Sequence, residues 1–260
     1  MKYLASARAE FLRSFQYRAN YWTTVAGTAV VVIIQWSLWQ TVYRETPAVA
    51  GISLPAMLSY SLMGRVVSGL LAEPTGLRLG TKVRNGSIVH DLVKPADLGV
   101  LLMSQTLGRA LYSLASVGVP CFAVLWAAGL LEIPSIPAIA AFGTSVAMGY
   151  ITLFSTYLVS GVLTFYTKTG VGVEHLYPVI SLLSGEFVPL DFFPSWLRVV
   201  ADRLPFRGIY YVPMALWSGI ISPTQAIPSL ISQAAWTLGM AVLARVAWAG
   251  AVKNLTIQGG

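Results

Sequence analysis

"ANYWTTVAGTAVVVIIQWSLWQTVY", residues 19–43, runs from Arg18 to Arg44 without a single charge. An uncharged apolar run longer than roughly 18 residues marks a membrane-span candidate. The rest of the chain is of the same kind. Of its 260 residues 56% are hydrophobic and only 10% are charged, against about 25% charged in an ordinary soluble domain. Mean hydropathy is +0.69. These values identify a polytopic membrane protein. The first run starts after twenty residues and no small-residue cleavage site follows it, so it reads as a retained span and not a signal peptide.

Working outward from residues 22–43, a second span covers 54–72 and is interrupted by Arg65. A third covers 109–131, opening on Arg109, and a fourth 137–165. Only 11 residues separate Glu174 from Glu186, so the fifth, 174–190, must run on to Leu190 or stop short. The 37 uncharged residues between Arg207 and Arg245 exceed the needs of one span, and the sixth is placed at 226–250. The expected fold is an all-α membrane protein with six transmembrane helices in a single domain, residues 1–260, with both termini on one side.

Cytoplasmic segments of membrane proteins carry the excess of Lys and Arg. With the N-terminus in the cytosol, the inner segments hold Lys2, Arg8, Arg13, Arg18, Arg78, Lys82, Arg84, Lys94, Lys168, Arg245 and Lys253. The outer segments hold Arg44, Arg198, Arg203 and Arg207, nearly offset by Glu45, Asp191 and Asp202. The formal charge of +7 therefore reflects topology. No nucleic-acid partner is expected, since no basic face interleaved with aromatics occurs in the aqueous segments.

This orientation puts "FFPSWLRVVADRLPFRGIYYVP", residues 192–213, outside, between spans five and six. As a helix after Pro194 it sets Trp196, Leu197, Val200 and Leu204 on one face and Ser195, Arg198 and Asp202 on another. It lies in the outer interface or dips in and returns, and the residues alone leave both readings open. A break at Gly185 fits the short fifth span, because irregular backbone at membrane depth must be buried in protein or line a wet cavity.

Two inner segments are amphipathic. In residues 1–20, Leu4, Phe11, Leu12 and Phe15 form an apolar stripe opposite Lys2, Ser6, Glu10 and Arg13, while Arg8 and Arg18 can reach anionic headgroups. An interface helix on membrane lipid is expected. In the loop 76–99, Ser87 can cap a short helix bearing Ile88, Val89, Leu92 and Val93, ended by Pro95. Such a helix suits a partner's groove or packs on the protein's own inner surface.

Catalytic chemistry is hard to find. "GLRLGTK" leaves three residues between Gly76 and Gly80 where a phosphate loop needs four, and lacks the Lys-Ser/Thr pair. His90 and His175 lie apart with no ligand set around them, and Cys121, the one cysteine, excludes an internal disulfide. No Gly-x-Ser-x-Gly elbow occurs. The notable groups are ionisable ones at membrane depth, which cost about 2.5–3.5 kcal/mol each on insertion scales. Arg65 and Glu186 are candidates for structural pairing or for substrate and gate contact. Arg109 is expected to snorkel to the inner interface.

The stretches "NGSIVHDLVKPADLG" (85–99) and "LSGEFVPLDFFPSWLRVVADRLPFRGIYYVP" (183–213), set in this layout, resemble type-2 ABC exporter permeases. The likeness is greatest to the bacterial branch of separate permease subunits linked to drug and antibiotic export. That resemblance implies a re-entrant extracellular hairpin between spans five and six, and no enzyme activity or cofactor in this chain. ATP and Mg would belong to a cytosolic ABC ATPase partner. It implies that Ile88, Val89, His90, Asp91, Leu92, Val93 and Lys94 form the helix that couples to this ATPase. It implies an extracellular gate at Glu186, Phe187, Pro189, Phe193, Trp196 and Leu197. A second permease subunit, identical or different, would complete a cavity near Trp36, Trp39, Tyr60 and Arg65 for an amphiphilic or hydrophobic small molecule. The implied location is the bacterial cell membrane, with both termini cytoplasmic. A stand-alone secondary carrier would need coupling groups across the spans, and an intramembrane enzyme a nucleophile or metal set. Neither is evident.

Overall fold

The computed structural model describes residues 2–14, 18–71, 97–131, 133–167 and 171–258; at 18–21, 24, 164–167, 171–176 and 252–258 it describes the backbone alone. Helix dominates, as it must where lipid offers no hydrogen bonds and each segment satisfies its own backbone. Helices α1 (Lys2–Ser14) and α2 (Arg18–Val42) lead to a small antiparallel hairpin of β1 (Ala48–Val49) and β2 (Ile52–Ser53). Its turn residues, Ala50 and Gly51, both have positive φ, 52° and 78°, as a two-residue hairpin requires. Helix α3 (Leu54–Leu71) follows at once. Helices α4 (Leu98–Ser113) and α5 (Val119–Ala127) are joined by a π segment, Leu114–Gly118. Pro120 has no N–H to offer the preceding turn, and the Val119 amide reaches back five residues to the Leu114 carbonyl.

Next come α6 (Ile136–Thr167) and α7 (Val171–Leu183), then α8 (Ser195–Asp202) between two 3-10 turns, Leu190–Phe192 and Pro205–Gly208. Helix α9 (Tyr211–Trp217) and the long α10 (Pro223–Gln258) complete the described chain.

Among the described residues, five helical stretches are long and apolar enough to cross a membrane: Val25–Val42, Leu54–Leu71, Leu98–Ala127, Ile136–Leu163 and Pro223–Ala251. They match five of the six expected spans. The remaining one, 174–190, is represented by α7, whose 13 residues extend only about 20 Å, followed by a turn. The third stretch corrects the sequence reading, which began it at Arg109. The helix starts at Leu98, where the Asp97 side chain accepts the Val100 amide at 3.0 Å as an N-cap. Arg245 donates to the other Asp97 oxygen at 2.8 Å and ties this end to α10. Burial pushes the Asp97 carboxyl up, but the Val100 amide and Arg245 outweigh it and hold it below the usual carboxylate range. The cap therefore persists at neutral pH and weakens only as pH falls through that lowered value.

Arg109 accordingly lies three turns inside α4 and does not snorkel to its end. It is buried, and its Nη1 meets Glu10 Oε2 of α1 at 3.2 Å. The sequence reading also placed Glu10 on the solvent side of α1, and this too is corrected. Helix α1 packs along α4 through Ala7, which faces Gly108, through Glu10, and through Phe11, whose ring meets Tyr112 edge-on at 6.3 Å. Leu4 is left 77% exposed and Leu12 is exposed with it. The stripe is thus divided, Phe11 inward and Leu4 and Leu12 outward; Phe15 lies outside the described residues.

Helices α6 and α10 are joined by a buried polar ladder. Gln233 Nε2 donates to the Ser145 and Gly208 carbonyls at 2.8 and 2.7 Å, and Ser145 Oγ donates to Gln233 Oε1 at 2.7 Å. One turn on along α10 and two along α6, the Thr152 and Thr237 hydroxyls meet at 2.9 Å. A Cβ on Gly149 would lie 2.9 Å from the Gly208 carbonyl oxygen and 3.0 Å from that of Ile209, so only glycine lets the Pro205–Gly208 turn approach so closely. The ladder therefore fixes the second half of the 184–217 segment to the long helices.

Candidate functional site

The site is built where α7 stops. Pro178 lies inside α7, and the helix ends at Leu183 because Gly185 turns left-handed, with φ 78°. A Cβ there would meet Tyr60 Oη at 2.9 Å and Tyr211 Cβ at 3.1 Å, so both backbone sign and space demand glycine. The freed carbonyls find partners. Tyr60 Oη donates to the Gly185 carbonyl at 2.6 Å, and the Tyr211 amide donates to that of Ser184 at 2.8 Å. The break is thus held by α3 on one side and α9 on the other, as buried irregular backbone requires.

Glu186 follows, only 4% exposed. Ser68 Oγ of α3 donates to its Oε1 at 3.1 Å, and the Tyr177 hydroxyl of α7 lies 3.4 and 3.5 Å from its two oxygens. Tyr157 of α6 and Tyr210 belong to the same buried cluster as Tyr60. No cation holds it: none of the ion pairs among the described residues includes Glu186. Arg65, one turn before Ser68 on α3, lies with its guanidinium carbon 6.0 Å from the centre of the Phe187 ring, and its Nε and Nη2 are buried without a hydrogen-bond partner. Phe187 itself is 51% exposed.

Beyond the break, α8 shows three faces where the sequence reading had two. Leu197, Ala201 and Leu204 turn inward. Arg198 and Asp202 form an ionic face: Arg198 pairs with Asp191 at 2.8 Å, and Arg207 with Asp202 at 3.0 Å. Tyr211 Oη donates to Asp191 at 2.9 Å and lies under the Arg207 guanidinium. Trp196, 68% exposed, shares the outer face with Val199, Val200 and Arg203. The expected stripe of Trp196, Leu197, Val200 and Leu204 is therefore split: Trp196 and Val200 are exposed, whereas Leu197 and Leu204 are half-buried.

The expected site residues divide accordingly. Tyr60, Arg65, Glu186 and Phe187 come together at the break. Pro189 is buried and Phe193 half-buried beside it. Trp39 is in the core, 5.8 Å from Phe192, whereas Trp36 faces outward on α2 and Trp196 outward on α8. The coupling segment, Ile88 to Lys94, lies outside the described residues. Missed from sequence were Ser68, Tyr177, Tyr157 and Tyr210. Hydroxyl-bearing residues in apolar helices give no signal by themselves, although the Ser68 position one turn after Arg65 is a weak one. Among the described residues no group of three His, Cys, Asp or Glu side chains gathers to hold a metal.

A family model described as ABC-2 family transporter protein matches residues 29–259. No curated protein and no solved structure matches the chain significantly.

Proposed function

We propose, because the chain belongs to the ABC-2 family of transporters, that it is the membrane-spanning subunit of an ATP-driven exporter in the bacterial drug- and antibiotic-export branch. Permeases of this family generally work with an ATPase partner, and the membrane-crossing helices agree with a multi-pass permease. The match over 29–259 is the observation that carries the reading.

In this account α7 belongs to the fifth span and the turns after it form a re-entrant extracellular hairpin between spans five and six, giving six spans with both termini in the cytoplasm of a bacterial cell. The left-handed Gly185, clamped by Tyr60 and Tyr211, supports it. The gate is formed by Glu186, Phe187, Pro189, Phe193, Trp196 and Leu197, with the outer face of α8 at the lipid headgroups. A second permease subunit covers the apolar surface this chain leaves open: the Val25–Val42 window is only 6% buried, and α7 exposes Tyr177, Val179 and Leu182. The cargo is an amphiphilic or hydrophobic small molecule, such as a drug, an antibiotic or a lipid-like compound. Ile88 to Lys94 couple the chain to a cytosolic ATPase, which holds ATP and Mg.

The test is co-purification of the chain with a cytosolic ATPase bearing the nucleotide motifs, followed by an amphiphile screen for stimulated hydrolysis. A stable complex whose hydrolysis rises with an amphiphile is expected. A chain that retains no ATPase from its own host contradicts the reading.

A further inference from the structure

Arg65 is the group the fold leaves unanswered. It lies eleven residues into α3, about 16 Å along the helix axis, and so near the middle of a span. A cation at that depth costs about 2.5–3.5 kcal/mol on insertion scales and is ordinarily matched by a carboxylate or carbonyl. Glu186 is the natural counter-ion, yet its oxygens are taken by Ser68 and Tyr177 and no ion pair joins it to Arg65. Nε and Nη2 of Arg65 are buried with no acceptor at all. Against its face stands the ring of Phe187, half exposed, on the turn that follows α7.

A half-buried guanidinium with two buried, unbonded donors is a costly arrangement unless another molecule completes it. Its planar fork matches the two oxygens of a carboxylate or phosphate. The half-exposed ring over it offers apolar surface beside the charge, and α7 carries further exposed apolar side chains, Val179 and Leu182. Resting on the export reading above, we infer that Arg65 receives the anionic head of an amphiphile, with Phe187 displaced to pack against the apolar part. Glu186, held by neutral hydroxyls, is kept from closing onto Arg65 in this state.

The test uses the full chain in nanodiscs of phosphatidylcholine, with empty nanodiscs subtracted. Tryptophan-to-pyrene energy transfer reads the binding of pyrene-dodecanoate, its methyl ester, and competition by inorganic phosphate. The carboxylate is expected to bind at least about tenfold tighter than the ester, the size of one charge-assisted hydrogen bond. Arg65→Gln should remove that preference, Arg65→Lys should keep part of it, and phosphate alone should not displace the probe. Arg65→Gln/Glu186→Gln should remain without preference. Equal binding of ester and carboxylate, a preference that survives Arg65→Gln, or displacement by inorganic phosphate overturns the inference. Recovery of the preference in the double variant does so too, because it would make Arg65 a structural partner of Glu186. Monodisperse elution of each variant identifies folded protein, and Arg65→Lys provides the reading should Arg65→Gln fail to fold. No ATPase is needed, so a failed charge preference leaves the export reading standing, and a missing ATPase partner leaves this result intact.

Discussion

Leu92→Asp should abolish amphiphile-stimulated ATP hydrolysis by the complex of this chain with its ATPase, while the chain still inserts in the membrane. In the proposed coupling helix Leu92 would share a stripe with Ile88, Val89 and Val93, and such a stripe suits a partner's groove. A carboxylate forced into a desolvated groove costs several kcal/mol, and each 1.4 kcal/mol is tenfold in an equilibrium. Stimulated hydrolysis should therefore fall at least about tenfold, with basal hydrolysis by the free ATPase unaltered. Val89→Asp should act alike, whereas Asp91→Asn, which would lie off that stripe in the proposed helix, should leave stimulation within about twofold. Unchanged stimulation in Leu92→Asp would mean that this face packs elsewhere.

The second large effect concerns Glu10. Glu10→Gln removes the carboxylate that meets buried Arg109 at 3.2 Å. Breaking a buried pair from one side costs about 3–5 kcal/mol, because a charge remains behind. Glu10 is still 18% exposed, so about 2–3 kcal/mol is expected here. Thermal unfolding of the purified chain should show the loss as a lowered midpoint. Glu10→Gln/Arg109→Gln should regain part of it, since the pair is then removed whole. A double variant less stable than the sum of the two single changes would show that Arg109 serves the fold through contacts other than Glu10.

The comparison of these residues with their sequence shows where a linear reading succeeds. The uncharged run 19–43 becomes α2 because nothing in it has to find a partner outside its own helix. The break at Gly185 was legible since two acidic residues, Glu174 and Glu186, bracket too few residues for a span. Charges served as poor boundaries where the fold neutralises them. Arg109 reads as the start of a span, yet Glu10, ninety-nine positions earlier, allows it to sit inside α4. The better sign of that start was Asp97, a capping residue directly after Pro95 and Ala96. On α8, period alone could not tell a face turned to the core from one turned outward, because both are apolar; the difference depends on where Asp191 and Arg207 stand. The hydroxyls on Glu186 come from α3 and α7, and only their packing brings them together.

The central claim is that this chain provides a passage driven by a motor on another polypeptide. Liposomes containing the chain, with and without its ATPase, test it through accumulation of a fluorescent amphiphile. Accumulation against a gradient should require both the ATPase and ATP, and should stop when either is withheld. Uphill accumulation by the chain alone, without nucleotide, would contradict the account.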